Sequence, residues 1–170
     1  NNNWIFCGPE GTPQTVDLPH TWNTVDGQDG GNDYWRGTCT YRTSFAAPAF
    51  DPAQQQVWLQ FEGVNSSATV LLNGQQLCTH DGGYSTFRAE ITELLQAENQ
   101  LAVRVDNSVN DRIYPQKADF TFYGGIYRVE SLQVGKKNHI ALGHFGDTGV
   151  KITPALKEGS ADTQVDKLGD

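Results

Sequence analysis

Ala68-Thr69-Val70-Leu71-Leu72-Asn73-Gly74-Gln75-Gln76-Leu77-Cys78 is the stretch that decides the fold. Asn-Gly between two β-prone runs is the strongest short-range hairpin signal, because both turn residues must accept positive φ. Upstream, Gln56 to Glu62 reads Q-V-W-L-Q-F-E, with Val57, Leu59 and Phe61 on one face and Trp58 and Gln60 on the other. Downstream, Leu101-Ala102-Val103-Arg104-Val105 alternates again, as does much of Ile126 to Val134. Gly37 to Phe45 adds a β-rich run through Thr38, Thr40, Tyr41 and Thr43. Glu90 to Ala97 is the only plausible helical turn and is too short to form a layer. Short strands about 10 residues apart, with turn signals between them, predict an all-β, antiparallel sandwich.

Composition limits the partners. A chain of 170 residues and 18.7 kDa suits one domain with a short appendage, and needs no disulfide or metal to fold. Apolar runs of a few residues cannot span a bilayer. Twelve basic against twenty acidic residues leave a net charge of −8, which argues against nucleic acid and anionic membranes as partners. The three cysteines (Cys7, Cys39, Cys78) have no Cys-x-x-Cys spacing; they read as free thiols and lean toward a reducing compartment. The chain begins Asn1-Asn2-Asn3-Trp4 and contains no Met, so a fragment or processed piece is expected, with any targeting signal cut away. After Gly135 the composition changes. Thr153 to Asp170 carries Pro, Gly and charge, and reads as a linker or as the first strand of a domain whose remainder is missing.

Metal chemistry is not expected. Of the four histidines, His139 and His144 stand five apart, on opposite faces of any strand, and no zinc spacing exists. There is no Gly-x-Ser-x-Gly elbow and no phosphate-cradling loop. The pairs Gly82-Gly83 and Gly124-Gly125 read as turns or bulges. Three segments are denser than a sandwich core demands. They are Leu18 to Gly37 with its L-P-H-T-W-N and G-G-N-D-Y-W-R-G motifs, His80 to Phe87 (H-D-G-G-Y-S-T-F), and Ala118 to Arg128 (A-D-F-T-F-Y-G-G-I-Y-R). All three mix aromatics with carboxylates, amides and glycines. Such mixtures suit sugars, whose C–H faces pack on aromatic rings while their hydroxyls need donors and acceptors. Taken singly, each aromatic reads as core packing, and Asp119 reads equally as a turn residue accepting backbone N–H bonds.

Together with F-E-G-V-N-S-S-A-T-V-L-L-N-G and N-Q-L-A-V-R-V-D-N, these motifs resemble, in order over about Val16 to Val134, the N-terminal sugar-binding domain of glycoside hydrolase family 2. That family includes β-galactosidases, β-glucuronidases and β-mannosidases. The resemblance implies a jelly-roll β-sandwich over residues 1–137. Residues 138–170 would be a linker and the start of an immunoglobulin-like domain, with a TIM barrel beyond. The catalytic glutamates of such enzymes lie in the barrel, so no catalytic residue is expected in this chain.

The resemblance also implies site residues. Asp119 matches the aspartate that accepts hydrogen bonds from sugar hydroxyls in the barrel's active site. In some relatives that aspartate also holds a monovalent cation, with the other ligands coming from the barrel; no further cofactor is implied. Asn32 is the nearest match to a second sugar contact, with Asp33 beside it. The loop from His20 to Gly37 is most similar to the bacterial β-galactosidase branch. The implied partners are a β-galactoside or related sugar, the downstream immunoglobulin-like and barrel domains, and a second copy of the chain. The implied location is cytoplasmic, with periplasmic or secreted as the alternatives. Two rival readings stay open: a stand-alone carbohydrate-binding module, which needs its own aromatic platform, and a structural interaction domain.

Overall fold

The computed structural model describes residues 2–24, 35–115, 118, 120–139, 150–157 and 160–167. Apart from one 3₁₀ turn (Thr92–Leu94), its regular structure is β. The strands of the first half are β1 (Trp4–Cys7), β2 (Pro13–Val16), β3 (His20–Thr21), β4 (Thr38–Ala46), β5 (Gln55–Phe61), β6 (Val64–Asn65) and β7 (Ser67–Leu72). Those of the second half are β8 (Gln75–Asp81), β9 (Phe87–Glu90), β10 (Glu98–Asp106), β11 (Gly125–Ile126), β12 (Glu130–Lys136), β13 (Val150–Lys157) and β14 (Ser160–Lys167). All pairings are antiparallel.

One sandwich layer is a six-stranded sheet in the order β2-β1-β4-β10-β7-β8, and the facing layer is β12-β5-β9. Alternation decides what lies between them. On β10, Leu101, Val103 and Val105 pair in register with Leu72, Val70 and Ala68 of β7, and all six are buried. The facing layer supplies Val57, Leu59 and Phe61, the inward face read from the sequence, with Phe61 stacked on Phe87 at 4.9 Å. Each fully buried Leu or Phe contributes about 1.5–3 kcal/mol relative to exposure, so this shared core holds the layers together.

The Asn73-Gly74 hairpin forms as expected, with φ of 52° and 83° joining β7 to β8. Asn73 also ties the turn to the head of β10. Its Oδ1 accepts from the Gln100 N–H at 2.9 Å, and its Nδ2 donates to the Leu94 carbonyl at 3.0 Å and to Asn99 Oδ1 at 3.1 Å.

Two segments differ from the sequence reading. Ile126 to Val134 is not one strand: Gly125, at φ +142°, sits where a continuous extended strand is blocked. β11 therefore joins β3 and β6 in a separate small sheet, while β12 pairs with β5. The tail forms a two-stranded ribbon, β13 against β14, where a linker or single strand was expected. Ile152 faces Val165 across it, and both are exposed, as is Leu156.

Candidate functional site

The small sheet β3-β11-β6 places the motif-dense segments side by side. Its centre, Gly125-Ile126, pairs with His20-Thr21 on one side and with Val64-Asn65 on the other. Thr21 Oγ1 donates to the Gly124 carbonyl at 2.7 Å, and the Trp22 N–H reaches the same oxygen at 3.3 Å. Trp22 lies flat against Gly124, where an added Cβ would fall 2.0 Å from its ring. Only glycine allows the two segments to approach this closely. Gly124 is thus a packing position, and the turn role expected for it is secondary.

Three buried asparagines hold the backbone around Gly124. Asn23 is fully buried; its Oδ1 accepts from the Gly124 N–H at 2.8 Å and its Nδ2 donates to the Trp35 carbonyl at 2.9 Å. Asn107 Nδ2 donates to Asn23 Oδ1 and to the Phe122 carbonyl, both at 3.2 Å, and Asn107 Oδ1 accepts from the Gly37 N–H at 2.9 Å. Asn65 Nδ2 donates to the Tyr123 carbonyl at 2.7 Å. Residues 122 to 124 are therefore fixed through their own peptide groups by amides from three distant elements. A buried peptide group left unpaired costs about 1–3 kcal/mol, so these amides specify one backbone path.

The second motif segment is bolted to the same frame. The Tyr127 hydroxyl donates to the Gly83 carbonyl, and Tyr84 packs edge-on to Tyr127 with centroids 6.4 Å apart. His80 stacks on Phe87 at 4.3 Å, with Nε2 bonded to the Gly82 carbonyl at 3.0 Å. The connection after β10 is pinned too. Arg112 Nε donates to Asp81 Oδ2 at 2.8 Å, and Asn110 Nδ2 donates to Ser67 Oγ at 3.2 Å. Arg36 Nε donates to the Asn107 carbonyl at 2.6 Å, and its guanidinium lies 5.5 Å from the Phe122 ring centre.

The electrostatics follow from these partners. Burial lowers the pKa of His20, whose Nδ1 meets the Tyr41 hydroxyl at 2.8 Å, and burial of Tyr41 raises the phenol's. Burial likewise lowers that of His80, against smaller opposing effects of the Gly82 carbonyl and Asp81. The hydrogen bonds from Arg112 and Ser67 hold Asp81 below the usual carboxylate range. Burial opposes ionisation of Asp106, but hydrogen bonds from Ser108 and Thr38 outweigh it and its pKa falls. Burial pushes the Cys39 thiol up to about 12, which makes it an inert packing residue.

Asn32, Asp33 and Asp119 lie outside the described residues. Their flanks are described: Trp35 packs edge-on against Trp22, and Phe120 packs on Phe122 at 5.1 Å. Among the described residues, no three His, Cys, Asp or Glu side chains come together as a metal site. The residues that sequence reasoning missed are the asparagines. One signal was available: Leu101, Val103 and Val105 point inward, and the same two-residue step places Asn99 before them and Asn107 after them on the core face.

This arrangement agrees with the comparisons to known proteins. The family model described as the glycosyl hydrolase 2 galactose-binding domain-like family matches residues 28–161. A β-glucuronidase of Bacteroides fragilis is 38% identical over 158 residues, covering 89% of this chain and 22% of its own length. A β-galactosidase of Thermoanaerobacterium thermosulfurigenes is 39% identical over 154 residues, covering 79% of this chain and 21% of its own. The crystal structure of an FMN-binding β-glucuronidase from Facaelibacterium prausnitzii L2-6 superposes with a TM-score of 0.88 at 38% identity, over 99% of this chain and 27% of that one. The chain belongs to glycosyl hydrolase family 2, as the N-terminal galactose-binding-like domain of those enzymes. It spans about a quarter or less of the length of these relatives.

Proposed function

We propose that this domain is a non-catalytic wall of the sugar pocket in a retaining β-glycosidase, and that it presents Asp119 to the hydroxyls of the bound sugar. The supporting observation is the convergence of the three motif segments on β3-β11-β6, where Asn23, Asn65 and Asn107 fix the backbone just after Asp119. A rigid base is what a carboxylate needs to meet hydroxyls at a set distance. Hydrolysis itself would use an acid/base and a nucleophile carboxylate about 5 Å apart, supplied by a barrel outside this chain. Asn32 and Asp33 would offer further polar contacts to the sugar. A monovalent cation at Asp119 would take its remaining ligands from that barrel. The exposed Trp35, Tyr84, Tyr114 and Phe120 at this end provide apolar surface for the barrel and substrate to cover. The unpaired Cys7, Cys39 and Cys78 support a reducing, cytoplasmic location.

A β-galactoside is the substrate that the motifs favour. A β-glucuronide is the second reading, favoured by the names of the Bacteroides fragilis relative and of the FMN-binding structure. The test uses the whole protein and the 4-nitrophenyl β-glycosides of both sugars. The better substrate names the sugar, and the 170-residue chain alone should cleave neither. Asp119→Asn keeps the shape and removes the charge. Loss of one or two charge-assisted hydrogen bonds predicts a fall in kcat/KM of roughly 10- to 100-fold with an unchanged melting temperature. A kcat/KM unaltered per folded enzyme removes Asp119 from the site.

A further inference from the structure

Two tyrosines beside the Asp119 segment are not used by the reading above. Tyr84 is 50% exposed and Tyr114 is 79% exposed. Both line one shallow crevice with Arg36, Asn65, Asn110 and Phe122. Tyr114 and Pro115 border it from one side of the 113–122 segment and Phe122 from the other, and Asp119 lies between them in sequence.

Neither ring is loosely hung. Tyr84 follows Gly83, whose carbonyl accepts from the Tyr127 hydroxyl and whose Cα abuts the Asn65 amide. That same amide donates to the Tyr123 carbonyl, so Tyr84 and the backbone after Asp119 share one anchor. Tyr114 ends a connection held by the Arg112–Asp81 and Asn110–Ser67 bonds. Neither phenol hydroxyl has a hydrogen-bond partner among the described residues. Two fixed, exposed rings with free hydroxyls and polar neighbours suit a flat ring that also carries oxygen. A contact with another protein domain would require no free hydroxyl at this spot.

We infer that Tyr84 and Tyr114 form a platform for the leaving group of the substrate, which stacks on them while the sugar meets Asp119. The inference rests on the function proposed above. The shared chemistry is a ring with one apolar face, found both in an aryl group and in the face of a second pyranose.

The experiment uses the whole protein as wild type, Tyr84→Ala, Tyr84→Phe and Tyr114→Ala. KM and kcat are measured on the 4-nitrophenyl glycoside, the methyl glycoside and a disaccharide of the preferred sugar. A lost stacking contact predicts a KM about 3- to 10-fold higher in the alanine variants for ring-shaped leaving groups. The methyl glycoside should be unaffected, and Tyr84→Phe should restore most of the affinity. A rise confined to the nitrophenyl substrate assigns the platform to aryl groups, and a rise with the disaccharide as well extends it to sugars. Equal losses on the methyl glycoside, or no change on any substrate, overturn the platform. A wild-type protein that cleaves neither a β-galactoside nor a β-glucuronide overturns the proposed function, and this inference with it.

Discussion

Asn107 donates its side-chain amide to the side-chain oxygen of Asn23, 84 residues earlier, at 3.2 Å inside the protein. The bond joins the end of β10 to the segment after β3, and Gly124 completes the set by donating to the same Asn23 oxygen. Asn107→Asp tests this arrangement without changing its shape. A carboxylate would face two acceptors, Asn23 Oδ1 and the Phe122 carbonyl, that now receive N–H bonds. The variant should lose about 2–4 kcal/mol at pH 7 by chemical denaturation. Its carboxyl is better protonated when folded, so the deficit should shrink as the pH falls toward 4. A variant as stable as wild type at neutral pH contradicts the assignment of the amide donor.

Gly124→Ala places a methyl group where the Trp22 ring lies. Overpacking of this kind costs about 1–3 kcal/mol. Trp22→Leu should recover part of the loss, so that the double variant is more stable than the sum of the single changes implies. Strict additivity in denaturation midpoints would show that the ring and the glycine do not meet.

Gly74→Val puts a β-branched residue at φ 83° in the hairpin turn. The expected cost is about 1–3 kcal/mol, while Gly74→Asn should cost less because Asn tolerates positive φ. An unchanged melting temperature for Gly74→Val would exclude this turn geometry.

Acid should destabilise the domain in two stages. His20 and His80 both have lowered pKa values when folded, so below their ordinary value of 6.5 the unfolded chain binds more protons. Stability is then lost as the pH falls from about 6.5 through the folded values. Asp81 and Asp106, also lowered, add a second loss as the pH falls below 3.8. His20→Gln should flatten the first stage and leave the second intact. A pH–stability curve with the same slope between about pH 6.5 and 5 in both proteins would exclude His20 as a contributor.

The sandwich was legible because its signals are local. Val57, Leu59 and Phe61 alternate, and Asn73-Gly74 has one good turn geometry; both appear where expected. The motif resemblance located the site end, and the small sheet then accounted for why such distant motifs belong together. Its two-residue strands carry no periodicity of their own, so no pattern could place His20 beside Ile126 or Val64 beside Ile126. The buried asparagines were hidden for a different reason. Asn usually marks turns and caps, and only the inward register of β10 reveals Asn99 and Asn107 as core residues. The tail ribbon was missed because its apolar residues, Ile152, Leu156 and Val165, are separated by charge and Pro.

The centre of the small sheet is the last of its strands to leave the ribosome. β3 and β6 flank β11 and do not pair with each other, so neither can form the sheet until Gly125-Ile126 is made. At about 5–20 residues per second, roughly 3–12 seconds of synthesis separate Asn65 from Gly125. During that interval β4, β7 and β10 can assemble, because their inward residues all precede position 106. A nascent chain halted in the 110s would hold much of its hydrophobic interior and none of its sugar-facing frame. The recognition surface is therefore a mark of completed translation, acquired only after the scaffold beneath it exists.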